Sequence, residues 1–90
     1  MMSSDALWRL RVHASVPKKL ARFPRDIRIR LECIIDALPE NPYAGDIEKI
    51  KGEALMWRRR VGSYRIFFEL IPAEKVVFVF WVERRTSSMY

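Results

Sequence analysis

Ninety residues contain one cysteine, one histidine and three glycines, and no apolar run approaches the length of a membrane span. Each scarcity excludes something. A lone cysteine, Cys33, cannot form an internal disulfide, and with a single histidine it leaves no ligand spacing of the kind metal frameworks use. No metal and no cofactor is therefore expected. Cys33 falls within an apolar helical pattern and reads as a plain buried thiol without a chemical role. Crossing a bilayer takes about 20 consecutive apolar residues, so no membrane partner is expected either. The opening MMSSDALWRLRV has an acid where a secretion signal needs basic residues, and alternation where it needs an apolar block. Cytoplasm is the expected location. Repeats, low-complexity segments and linkers are also missing, and the sequence reads as one domain over residues 1–90. A chain of this size buries only about 60 to 65% of its unfolded surface, so each face of a sheet matters to stability.

What is present is charge of one sign beside strand-forming residues. Lysine and arginine number 17 against 11 acids, a net charge of +6 with a pI near 10.0, and twelve of the cations are arginine. The planar guanidinium fits phosphate oxygens bidentately, so this surplus leans toward nucleic acid or another polyanion.

Periodicity supplies the elements. Leu7 to His13 alternates Trp8, Leu10 and Val12 against Arg9, Arg11 and His13, a half-buried strand. Ser15 can cap a short helix carrying Val16, Leu20 and Phe23 on one stripe. Pro24 opens a second helix with Ile27, Leu31, Ile34, Ile35 and Leu38 at helical spacing until Pro39 stops it. A short extended piece over Ile47 to Lys51 precedes three strands, Met56 to Val61, Tyr64 to Ile71 and Val76 to Arg84, joined by Gly62-Ser63 and by PAEK. The order β-α-α-β-β-β predicts an α+β domain, with a two-helix hairpin on one face of a mainly antiparallel twisted sheet.

Why three consecutive arginines, Arg58 to Arg60, should sit inside a strand is answered by register. A two-residue loop at Gly62-Ser63 sets Val61 opposite Tyr64, Arg60 opposite Arg65 and Arg58 opposite Phe67. An even loop before Val76 adds Val76, Phe78, Phe80, Val82 and Arg84 to that face. The other face then collects Trp57, Val61, Tyr64, Ile66, Phe68, Leu70, Val77, Val79 and Trp81, with Arg59 snorkelling at an edge. Like charges opposite one another are destabilising, so the Arg60 and Arg65 pair argues for a bound anion. The bland alternative is a solvated arginine face screened by salt. His13 reads as a polar-face residue, Glu69 as a partner for an arginine, and the helical Lys18, Lys19, Arg22, Arg25, Arg28 and Arg30 as a solvated face.

The segment KIKGEALMWRRRVGSYRIFFELIPAEKVVFVFWVERRTSSMY, Lys49 to Tyr90, resembles the C-terminal half of RelE-type toxins of toxin-antitoxin systems. GSYRIFFEL and the spacing from Arg84 to Tyr90 are its most specific pieces; the first half of the chain agrees only in its β-α-α layout. That superfamily includes ribosome-dependent mRNA endonucleases and ParE-like gyrase inhibitors on one fold, so the fold alone does not choose between them. The resemblance implies a type II toxin that cleaves mRNA on the ribosome by attack of the RNA's own 2'-hydroxyl. A gyrase-inhibiting toxin and a catalytically silent binding protein are the alternatives.

Carried over residue by residue, the resemblance makes Arg58 and Arg60, at positions usually held by lysine, the groups that activate the hydroxyl and bind the phosphate. Arg65 becomes the arginine stabilising the transition state, Arg84 the one near the leaving 5'-oxygen, and Tyr90 the tyrosine that stacks on or orients the base. Many relatives continue past this tyrosine, where the present sequence stops. Lys49, Lys51 and Arg85 are expected to hold RNA. Phe67, Phe78 and Phe80 are expected to meet a cognate antitoxin, giving a toxin-antitoxin hetero-oligomer, and the ribosome and mRNA complete the expected partners.

Overall fold

A computed structural model describes residues 7–85, and Tyr90 lies outside them. The first strand, β1, runs Arg9–Val12; two helices follow, α1 over Ser15–Leu20 and α2 over Arg25–Ala37. Four strands complete the domain: β2 Ile47–Lys49, β3 Met56–Val61, β4 Tyr64–Ile71 and β5 Val76–Arg84. They form one sheet in the order β1-β5-β4-β3-β2, antiparallel except for the β1/β5 pair. The expected α+β layout stands, and the short extended piece before β3 is an edge strand of the sheet.

Helix α2 begins at Pro24, whose extended backbone hands over to helix while its carbonyl accepts the Arg28 N–H at 2.9 Å. Asp26 in the first turn favours the positive end of the helix dipole. Leu31, Ile35 and Leu38 are buried, and Ile27 and Ile34 pack beside them. Cys33, by contrast, is exposed, which corrects the expectation of a buried thiol. It is two positions from Leu31, about 200° around the helix, and shares the outer side with half-exposed Ile29. In α1, Ser15 is the first helical residue rather than the cap. The acceptor comes from outside the helix: His13 Nδ1 takes the Ser15 N–H at 3.0 Å.

The helices cover one sheet face. Tyr64, Ile66, Phe68 and Leu70 of β4, Val77, Val79 and Val82 of β5, and Val61 of β3 join Val16, Leu20, Leu31, Ile35 and Leu38 in one core. Val12 does not join them; at 41% exposure it sits where the edge strand gives way to α1. Arg59 lies on the covered side, opposite Ile66, with its guanidinium against Gly45. A Cβ on Gly45 would come within 2.5 Å of that group, and φ of +87° is itself unfavourable for other residues.

The hairpin between β3 and β4 has the expected register: Val61 opposite Tyr64, Arg60 opposite Arg65, Arg58 opposite Phe67. Gly62 at φ +59° supplies the left-handed first turn position that a two-residue loop needs. The β4/β5 hairpin also starts as expected, with Ile71 opposite Val76 and Phe68 opposite Val79. There the ladder breaks. Phe67 pairs with Trp81, so Phe80 is an extra residue, a bulge that flips everything beyond it. Val82, expected outside, is fully buried opposite Ile66; Trp81, expected in the core, is 37% exposed. Arg84 falls opposite Tyr64, on the helix-facing side, and Glu83 takes the place opposite Arg65. The break coincides with the loss of β5's other partner. Val79 O accepts the His13 N–H as β1 ends, and Ser15 Oγ of α1 reaches Phe80 O at 3.4 Å.

Candidate nucleic-acid interface

The sheet face away from the helices is organised in rungs that cross the strands. One rung runs Asp46, Arg60, Arg65, Glu83. Arg60 and Arg65 are direct neighbours on β3 and β4, and Glu83 is Arg65's neighbour on β5. Asp46, just before β2, accepts the Arg60 N–H through its carbonyl and holds Arg60 Nε with its carboxylate at 3.4 Å. Glu83 Oε2 sits 2.6 Å from Arg65 Nη2. Two cations thus stand side by side with an anion at each end. The adjacent rung runs Glu48, Arg58, Phe67, Trp81. Arg58 donates from Nη2 at 2.8 Å and Nε at 3.3 Å to one oxygen of Glu48. Hydrogen bonding and the charge of Arg58 hold the Glu48 carboxyl below its ordinary pKa. That pair is intact at neutral pH and is lost only as acid brings pH through the lowered value.

Beside the arginines lies an aromatic strip. The Phe67 and Phe80 rings are 6.3 Å apart, as are those of Phe78 and Phe80, and the Arg65 guanidinium lies over Phe67 at 5.8 Å. Arg11 covers Phe78 at 5.5 Å. Trp81 extends the strip to the end of β5, with Lys19 Nζ 4.3 Å from its ring centre.

Of the residues named from sequence, Arg58, Arg60, Arg65, Phe67, Phe78 and Phe80 share this face. Arg84 does not, because the bulge turns it to the helix side. By alternation Arg85, whose N–H donates to Ser63 O, returns to the arginine side. Lys49 is opposite Trp57 and so belongs to the helix-facing side of the edge strand; Lys51 is exposed in the turn after it. Four residues of the face were not singled out from sequence: Asp46, Glu48, Glu83 and Trp81. The acids before β3 carried no signal, since their pairing depends on an edge strand only three residues long.

Surface ion pairs of this kind contribute little to stability and exchange readily with a competing anion. The face can therefore take a phosphate between Arg60 and Arg65 while the neighbouring rings receive a flat, apolar group. No helix among the described residues is long and apolar enough to cross a membrane.

The chain is similar in structure to a chain of the archaeal RelE-RelB complex from Pyrococcus horikoshii, with a TM-score of 0.78 and 24% identity over 91% of this chain and 99% of that one. Isolated RelE toxin of E. coli matches with a TM-score of 0.74 and 20% identity, over 90% and 87% of the two chains. A chain of the RelB-RelE antitoxin-toxin complex from Methanococcus jannaschii shares 30% identity over 83% and 89%, with a TM-score of 0.70. No curated protein sequence matches. Residues 10–89 match the profile of the family described as ParE toxin of type II toxin-antitoxin system, parDE, and with that span covering nearly all of the sequence, the chain belongs to this toxin family of the RelE/ParE superfamily.

Proposed function

We propose that the chain is a toxin that stops translation by cleaving mRNA on the ribosome, with the RNA's 2'-hydroxyl attacking the adjacent phosphate. The observation that carries this reading is the pairing of Arg60 with Arg65 on the solvent-facing sheet surface, next to the rung that brings Phe67 and Trp81 together. Two adjacent guanidiniums match the charge that accumulates on a pentacovalent phosphate, and the rings offer a stacking surface to the flanking base. Arg58 extends the phosphate track along β3. Of the two arginines at the end of β5, Arg85 shares the side of the phosphate and is the one placed to assist the leaving 5'-oxygen. Arg84, Lys49 and Lys51 then bind RNA or the ribosome more peripherally, and Tyr90 orients the base.

A second reading, inhibition of DNA gyrase, is favoured by one observation. Arg58, Arg60 and Arg65 are each paired with an acid of the same chain, so none is held bare for a substrate. Induced expression with labelled amino acid and thymidine separates the two. The nuclease reading expects amino-acid incorporation to fall at once, with mRNA ends bearing 2',3'-cyclic phosphate. An immediate fall in thymidine incorporation with translation intact would assign the chain to the gyrase branch.

The partner proposed for the aromatic strip is a cognate antitoxin, as RelE chains are found with RelB in the archaeal complexes above. Phe67, Phe78 and Phe80 are half-buried and contiguous, and the net charge of +6 suits an acidic, extended tail with apolar anchors. Phe80→Asp is expected to weaken the complex at least tenfold in a pull-down or calorimetric titration, because it places a charge in the centre of the strip. Full affinity in that variant would move the antitoxin to another surface.

A further inference from the structure

A guanidinium does not give up its proton near neutral pH, so a row of arginines cannot by itself take the proton from a ribose 2'-hydroxyl. Some other group on the face has to. Accepting the nuclease reading, on which this inference rests, we propose that Glu83 is the proton acceptor of the cleavage reaction. The bulge at Phe80 is what delivers it. Had the regular pairing continued past Phe68 and Val79, Val82 would stand opposite Arg65; with the extra residue, a carboxylate does.

Glu83 differs from the other acids of the face. Its Oε2 is 2.6 Å from Arg65 Nη2 and its Oε1 accepts the Trp81 Nε1 hydrogen at 3.1 Å, so both oxygens are held. Its side chain is 30% exposed, against 57% for Glu48 and 63% for Asp46, which hang from the edge of the sheet. Glu69 lies farther along β4, opposite Met56 and Phe78, with no arginine beside it in the pairing. His13 is also displaced, its ring meeting Phe78 at 6.3 Å. Among the described acids only Glu83 pairs with Arg65; Asp46, at the far end of the same rung, pairs with Arg60.

The two donors on Glu83 have different parts. A phosphate arriving between Arg60 and Arg65 competes for the Arg65 guanidinium and releases Oε2 toward the neighbouring hydroxyl. Trp81, whose Nε1 hydrogen goes to Oε1 at 3.1 Å, keeps that oxygen in place. The 2'-O–H bond breaks with its proton passing to Oε2, the 2'-oxygen bonds to phosphorus, and the bond from phosphorus to the 5'-oxygen breaks. Water protonates the departing 5'-oxygen, and the hydroxide it leaves takes the proton back from Glu83. The products are a 2',3'-cyclic phosphate and a 5'-hydroxyl, with no change in oxidation state.

The test is single-turnover cleavage of mRNA on programmed ribosomes by the purified chain at saturating concentration, with a thermal melt of each variant. Glu83→Gln, which keeps size and hydrogen bonding but not basicity, is expected to cut at least 100-fold more slowly with its melt unchanged. Glu83→Asp should retain more activity than Glu83→Gln, and the exposed helical control Glu32→Gln should cut at the wild-type rate. Cleavage by Glu83→Gln at or above the wild-type rate would show a carboxylate that merely covers Arg65 and would overturn the inference alone. Equal losses in the Asp and Gln variants would assign Glu83 a structural part and overturn it too. A wild-type chain that leaves ribosome-bound mRNA intact would remove the nuclease reading and this inference together.

Discussion

Arg65→Ala is expected to slow mRNA cleavage by a factor of about 10² to 10³, the loss typical when one preorganised donor is removed from a developing negative charge. The fold should survive. Arg65 is on the sheet face away from the helices, its partner Glu83 keeps a second donor in Trp81, and both side chains reach water. Arg60→Ala should lose less, because Arg65 still faces the phosphate while Arg60 is the more exposed of the two at 44%. The end of β5 supplies the sharper comparison: with Arg84 turned to the helix side, Arg85→Ala should cost more activity than Arg84→Ala. Rates of ribosome-dependent cleavage for these four variants decide the matter. Activity that survives Arg65→Ala but disappears with Arg59→Ala would mean that the catalytic face had been assigned to the wrong side of the sheet.

How far the sequence could be read depended on how local the determinants were. The Gly62-Ser63 loop and the four-residue loop before Val76 fix register through chain geometry alone, and both pairings stand as expected. The break at Phe80 is a different matter. It arises where β1 runs out and α1 takes over the edge of β5, a contact between residues about 65 positions apart, and no alternation within VVFVFWVER announces it. Everything misassigned in that strand, Trp81, Val82 and Arg84, lies beyond that one residue. Cys33 was misread for a simpler reason. Apolar neighbours at Ile34 and Ile35 suggested burial, while its angular distance from Leu31 decided otherwise. The proposed anion site was legible as a set of arginines but not as a set of ion pairs, since the partners Asp46 and Glu48 come from the start of an edge strand whose placement depends on tertiary packing.

Phe68→Ala is expected to destabilise the fold by about 3 to 5 kcal/mol, the usual cost of truncating a buried aromatic side chain. Phe68 is completely buried, opposite Trp57 on one side and Val79 on the other, at the last regular pair before the bulge. Domains of this length are typically stable by roughly 5 to 13 kcal/mol, so the loss is a large share of the whole. At about 4 to 8 °C per kcal/mol, the melting temperature should fall by at least ~12 °C. Phe67→Ala, one residue earlier and on the open face, should cost under about 1.5 kcal/mol, because its half-buried ring has solvent on one side. Thermal melts of the two variants side by side therefore test the register itself. Equal losses would place β4 one residue out of the pairing described, and a slip of one turns every side chain to the opposite face. Arg65 would then point into the core and Ile66 into the proposed phosphate site, and neither the cleavage mechanism nor the part given to Glu83 could stand.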